Sequence, residues 1–198
     1  MRVLFITHSY PRWMGDAAGS FLLRLATALG REDVEVRVLA PSAPGLAGEE
    51  TIGGIVVHRF RYAPRSWETL AYTGTMAEDA RATWKGRSAL AGLLASGVAS
   101  ALRLQREWSP DVIHAHWWFP AGIIGAASAT MTARPLLLTM HGSDVRFARS
   151  IRVAQPMFRA VLAGAKVTTT VSAWLGQQAQ SVATCRPVVA PMPAATEL

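Results

Sequence analysis

The chain holds one cysteine, Cys185, in 198 residues. That excludes a disulfide framework and any zinc or iron–sulfur site built on cysteine. A reducing compartment fits this usage. Lysine is almost missing, since only Lys85 and Lys166 stand among the 20 cations. Acids are scarce too, 13 against those 20, which leaves a net charge of +7. No stretch of about 20 residues is both apolar and uncharged, so a spanning helix is not expected. The opening run Val3-Leu4-Phe5-Ile6 is too short for a signal peptide and reads as a strand. Coiled coil is excluded, because 16 glycines and 11 prolines punctuate the whole length.

What is present is apolar. Hydrophobic residues make up 51% and charged residues 17%, enough to build a large core and too little charge for a disordered chain. At roughly 150 residues per domain, the length gives one domain. The positive balance favours an anionic partner such as phosphate or acidic lipid. Nucleic acid is disfavoured, because the arginines are scattered and no nucleic-acid motif appears.

Strand-like and helix-like segments alternate. Strands are expected at Val3–Thr7, Val34–Leu39, Ile55–Phe60, Val112–His116, Leu136–Met140, Val167–Val171 and Val188–Ala190. Helical periodicity marks Ser20–Leu29, Arg87–Trp108, Pro120–Thr132, Arg149–Ala163 and Ser172–Val182. Gly45–Gly54 reads as a loop, and Arg61–Lys85 as irregular chain with room for a short helix. The later strands are continuous apolar runs, as in strands covered on both faces. The expected fold is therefore α/β: a Rossmann-like, doubly wound, mostly parallel sheet with helices on both faces. In such sheets ligands bind beyond the carboxyl ends of the strands.

Three segments stand at strand ends. The first runs from His8 through Arg12, Gly15 and Asp16 to Gly19, just ahead of a helix. Glycines there let the backbone approach an anion at the helix N-terminus, or simply serve a strained turn. The segment is neither a dinucleotide fingerprint nor a P-loop. The second is His116-Trp117-Trp118-Phe119-Pro120, in which at least one aromatic should face the cleft and stack on a sugar or base. The alternative is that the rings wedge between helices. His114 reads as a core histidine. The third, His141-Gly142-Ser143-Asp144, puts imidazole and hydroxyl beside exposed backbone N–H groups. His114, His116 and His141 would make a zinc triad only if their strand ends converged, and no metal is expected. Downstream, Arg134, Arg146, Arg149, Arg152 and Arg159 face one acid, Asp144, as a phosphate patch, an acidic-lipid patch or a solvated face.

Taken in order, these segments resemble the N-terminal domain of GT-B fold, family 4 (group 1) retaining glycosyltransferases. Val171-Ser172 and Ala190-Pro191-Met192 support the likeness, which spans essentially the whole chain. The resemblance implies transfer of a sugar, with retention, from a nucleotide-sugar donor to a hydroxyl of a saccharide or lipid-linked acceptor. It implies that residues 1–190 form the acceptor-side domain. Residues 191–198 would begin a linker to a C-terminal nucleotide-binding domain, of the same enzyme or of a partner subunit. On that basis the chain is half an enzyme, inactive alone, cytoplasmic, and at the inner face of the membrane where its acceptor is lipid-linked.

By position in the motifs, Gly15, Asp16, Gly19, Gly142, Ser143 and Asp144 would meet the donor phosphate and sugar. Arg12, His116, Trp117 and Trp118 would meet the acceptor, and His141 the transition state. No cofactor or metal is implied. One competing reading is a stand-alone sugar- or nucleotide-binding module without catalysis. Another, an unrelated Rossmann-like oxidoreductase or nucleotide binder, is disfavoured by the missing Gly-x-Gly-x-x-Gly. Peripheral membrane contact falls to Trp84–Arg106, where leucines are interleaved with Ala91, Gly92, Ala95, Gly97 and Ala99. Those small residues fit burial against the sheet better.

Overall fold

The opening apolar run becomes a central strand, because both of its faces are covered. In the computed structural model, which describes residues 1–194, β1 (Arg2–Ile6) has Val3 to Ile6 all buried. Leu4 and Ile6 enter one hydrophobic cluster, Val3 and Phe5 the other. Fully burying each such side chain stabilises by about 1.5–3 kcal/mol, so a strand like this anchors the sheet.

The chain then alternates: α1 (Ser20–Gly30), β2 (Glu35–Pro41), β3 (Glu49–Ile52), β4 (Ile55–Phe60), α2 (Met76–Ala82), α3 (Trp84–Trp108) and β5 (Val112–His116). It continues with α4 (Ile123–Thr132), β6 (Leu136–Met140), α5 (Ser143–Ser150), α6 (Gln155–Gly164), β7 (Val167–Thr170), α7 (Ala173–Gln180) and β8 (Val188–Val189). The eight strands order as β3-β4-β2-β1-β5-β6-β7-β8. Only β3 runs antiparallel, in a hairpin with β4. Helix α1 covers one face through Leu22 and Ala26, while α3, α4 and α6 cover the other. The architecture is the doubly wound α/β sheet that the sequence implies.

Four local expectations are corrected. Gly45–Gly54 is not all loop: β3 lies inside it, and Gly53 and Gly54 (φ 57° and 81°) form its tight turn. The helix expected from Pro120 begins at Ile123, because Phe119 before the proline is extended (φ −129°, ψ 132°). The helix expected over Arg149–Ala163 is broken at Ile151, also extended, so α5 and α6 are separate. Helix α3 starts at Trp84, with Thr83 Oγ1 accepting from the Gly86 N–H at 3.0 Å.

Helix α3 packs Ala89, Leu93, Gly97, Ala101 and Leu104 into the core, while Trp84 is exposed. Among the described residues no helix is long and apolar enough to cross a membrane. After β8 the chain turns back over α1: Arg24 Nε donates to the Pro193 carbonyl at 3.2 Å, and Met192 packs against the second cluster. The rest of the expected linker, residues 195–198, lies outside the described residues.

Candidate active site

Strand order reverses around β1, with β2 on one side and β5 on the other. The crevice beyond the carboxyl ends of β1, β5 and β6 is where a doubly wound sheet binds its ligand. His8 follows β1, Trp117 follows β5, and His141 follows β6. Their rings meet: His8 and Trp117 centroids are 4.6 Å apart, Trp117 and His141 4.3 Å. Phe21, in the first turn of α1, stands 5.2 Å from His141 and so ties that helix N-terminus to the group.

The first loop is held from inside. Arg12 Nε donates to Asp16 Oδ2 at 2.6 Å, and the Arg12 and Ala18 backbone N–H groups donate to the same carboxylate. The hydrogen bond from Arg12 holds Asp16 well below the usual carboxylate range. Buried Arg59 donates to the Pro11 carbonyl, to Glu50 Oε1 at 2.7 Å and to the Tyr72 hydroxyl at 2.8 Å. The two glycines differ. Gly15 (φ 89°) has open space where a Cβ would sit. At Gly19 (φ 65°) a Cβ would stand 2.4 Å from the Ser9 carbonyl oxygen. Gly19 is therefore the close-approach position that starts α1, with no side chain capping the helix.

The His141 turn is held by Asp144. Its carboxylate accepts backbone N–H groups from His141 (3.1 Å), Gly142 (2.9 Å) and Trp118 (3.1 Å). Burial pushes the Asp144 carboxyl up, against these three donors. Trp118 is in the core, its indole N–H donating to the Asp144 carbonyl at 2.7 Å. His116 is fully buried, with Nδ1 3.2 Å from His141 Nε2. His114 Nε2 lies 2.7 Å from Thr139 Oγ1, as suits a core histidine. Burial lowers every imidazole here: His8 to about 4, His114 and His141 to about 3, and His116 well below its ordinary value. At neutral pH the group is uncharged. Among the described residues, no group of three or more His, Cys, Asp or Glu is placed to hold a metal ion.

A cleft of about 390 Å³ opens beside these rings, between α2 and α5. Trp117 and Phe119 line it, so two of the three consecutive aromatics face the cleft. His8, Met76, Glu78, Arg81, Arg146 and Phe147 also line it; of these, His8 heads the first strand-end segment and Arg146 belongs to the arginine patch, while the other four carry no motif. The signal for His8 was its place directly after β1; the α2 side carried none. The structure corrects the direct contacts expected of four residues. His116 and Trp118 are sealed from solvent by packing. Asp16 and Asp144 turn their carboxylates inward to hold the two loops. Ser143 remains exposed at the cleft, and Arg12 is half-buried in its pairing with Asp16. The expected arginine patch divides: Arg134 binds the Pro110 carbonyl and Arg159 the Val182 carbonyl, while Arg146 and Arg149 face a second cleft beside Trp174.

Fold and site together define a Rossmann-like half of the GT-B architecture, with its crevice at the topological switch point. The chain belongs to the glycosyl transferase 4-like domain family, whose model matches residues 17–193. A Bacillus subtilis (strain 168) protein named as a teichuronic acid biosynthesis glycosyltransferase, TuaC, is 28% identical over 187 residues. The match covers 92% of this chain and 47% of TuaC, so the chain spans about half the length of that relative. Anabaena HepE, solved with UDP-glucose, superposes with a TM-score of 0.52 at 18% identity, covering 92% of this chain and 40% of HepE. The catalytic domain of Arabidopsis thaliana starch synthase IV, bound to ADP and acarbose, gives 0.54 at 14% identity, covering 96% and 51%.

Proposed function

We propose that this chain is the acceptor-side domain of a retaining glycosyltransferase that uses a nucleotide-sugar donor. The observation that carries the reading is the meeting of a neutral His141 with the N-terminus of α1 at the switch point. Gly19 lets the first loop pack tightly against the start of α1, and the dipole of α1 favours the donor phosphate there. His141, uncharged and partly exposed, offers a hydrogen bond to the donor sugar where charge develops. The acceptor enters the 390 Å³ cleft, against Trp117 and Phe119. Nucleotide-sugar or nucleotide ligands in the HepE and starch synthase structures support the donor class, and the relative's name supports transfer.

The nucleotide is held by a second domain, in keeping with relatives twice this length. Without it, donor phosphates are gripped from one side only. Purified residues 1–198 should therefore turn over no nucleotide sugar. The same residues joined to a nucleotide-binding second domain should transfer sugar with retention. Turnover by the 198 residues alone, or inversion by the joined protein, would overturn the reading.

A further inference from the structure

His116 is fully buried and touches His141 through one nitrogen, Nδ1 to Nε2 at 3.2 Å. Its other nitrogen, Nε2, is also buried and has no hydrogen-bond partner among the described residues. His114 lies 4.0 Å away ring to ring, and the Phe5 ring stands 4.6 Å from the His116 ring. Desolvation keeps both imidazoles neutral at physiological pH. Each ring therefore carries one N–H and one lone pair, and one proton sits between the two rings.

Two arrangements satisfy the 3.2 Å contact. In the first, His141 donates from Nε2 to His116 Nδ1. The His116 proton must then sit on Nε2, as a buried N–H without an acceptor. In the second, His116 donates from Nδ1 to His141 Nε2, and the unmet His116 Nε2 carries only a lone pair. Orphaned buried N–H groups are rarer than unmet acceptors, and the second arrangement avoids one. It also decides which nitrogen of His141 carries the proton. With Nε2 accepting, the His141 proton is on Nδ1, and Nδ1 makes no hydrogen bond to any described residue.

We infer that His116 is a positioning residue that fixes His141 as its Nδ1–H tautomer, so that His141 meets substrate as a hydrogen-bond donor, its one lone pair already engaged by His116 and not free to act as a base. The functional half of this statement rests on the transferase reading above; the tautomer does not. A second chain, His114 Nε2 to Thr139 Oγ1 to Thr169 Oγ1, both at 2.7 Å, holds His114 against His116 and limits rotation of the pair.

The test is the imidazole ¹⁵N spectrum of residues 1–198 at neutral pH, assigned by single histidine substitutions and recorded without substrate. The expected spectrum has pyrrole-type Nδ1 and pyridine-type Nε2 at both His116 and His141. A His141 proton on Nε2, or shared between both nitrogens, overturns the inference whatever the variants do. In His116→Leu the donor is gone, and His141 should lose its single tautomer. In His116→Asn a side-chain N–H stands near the old Nδ1 position, and the His141 tautomer should return. A folded Leu variant with an unchanged His141 spectrum, or a folded Asn variant without rescue, also overturns it. Because no substrate is present, failed sugar transfer leaves the tautomer standing, and a wrong tautomer leaves the transferase reading standing.

Discussion

At the scale of single residues, the molecule keeps several ionisable groups uncharged in order to bury them. His8 titrates at about 4, and His114 and His141 at about 3, all lowered by desolvation from an ordinary value near 6.5. The unfolded chain takes up these protons first. Stability is thus full above pH ~6.5 and is lost as pH falls from there, down to about 4 for His8 and about 3 for His114 and His141, each histidine adding a slope of up to ~1.4 kcal/mol per pH unit. Urea midpoints at pH 7, 6 and 5 should fall in that order, and His8→Phe should flatten the trend by one histidine's share. Catalysis at the same scale centres on His141. In the two-domain enzyme His141→Ala should lower kcat about 10²-fold, as loss of one preorganised donor does, with a smaller rise in KM. An unchanged kcat would remove His141 from the reacting centre. Residue types at the strand ends were legible in the sequence, but direction was not. Asp144 and Trp118 sit in the informative motifs, yet they act by holding the turn, because a carboxylate near three backbone N–H groups is drawn inward. No linear pattern reports which way a side chain faces once a turn has formed.

At the scale of elements, the helices are set by where backbone approaches backbone. In α3, a Cβ on Gly92 would lie 2.1 Å from the Tyr62 carbonyl oxygen. Helix propensity alone predicts that Gly92→Ala gains about 1 kcal/mol. The contact is backbone against backbone, so neither side yields easily, and overpacking of this kind costs about 1–3 kcal/mol. The steric term should win: Gly92→Ala lowers the urea midpoint, and a raised midpoint would show that the Tyr62 loop gives way. Most strands and the long helix were legible because their periodicity is strong and their breakers clear. The β3–β4 hairpin was missed although its signal was present, since Gly53-Gly54 stands between Ile52 and Ile55. The α5–α6 break was missed although a signal was present, since Pro156 stands inside the expected helix and falls in the first turn of α6. Burial of α3 was read correctly but from the wrong residues: Gly97 is buried and Gly92 half-buried, whereas Ala91, Ala95 and Ala99 are exposed, and the buried face is built by Ala89, Leu93, Gly97, Ala101 and Leu104.

At the scale of the whole molecule, charge is distributed unevenly along the sheet. From residue 145 to residue 194 the chain carries no acid, yet it holds Arg146, Arg149, Arg152, Arg159, Lys166 and Arg186. Lys166 and Arg186 precede the parallel strands β7 and β8, at the far end of the sheet, so the cations of this stretch that flank the crevice are Arg146 and Arg149 on α5. The acids other than Glu197 fall before residue 145, where Glu35, Glu49, Glu50 and Glu68 pair with Arg2, His58, Arg59 and Arg61. A one-signed flank beside a cleft raises the local concentration of an anionic ligand and steers its approach, at a range of about 10 Å in 0.1 M salt. On the reading proposed above, that ligand is the nucleotide sugar. Arg146 and Arg149, exposed on α5 beside Trp174 and Gly142, are the cations nearest the His141 turn. In the two-domain enzyme, kcat/KM for the donor should fall as salt rises from 0.05 to about 0.5 M, since screening shortens the reach of the field. Arg149→Glu should lower kcat/KM several-fold at low salt and make the salt dependence shallower, while kcat at saturating donor stays near its original value. Steering acts on encounter and not on the reacting centre, so a loss confined to kcat would show instead that Arg149 touches the transition state.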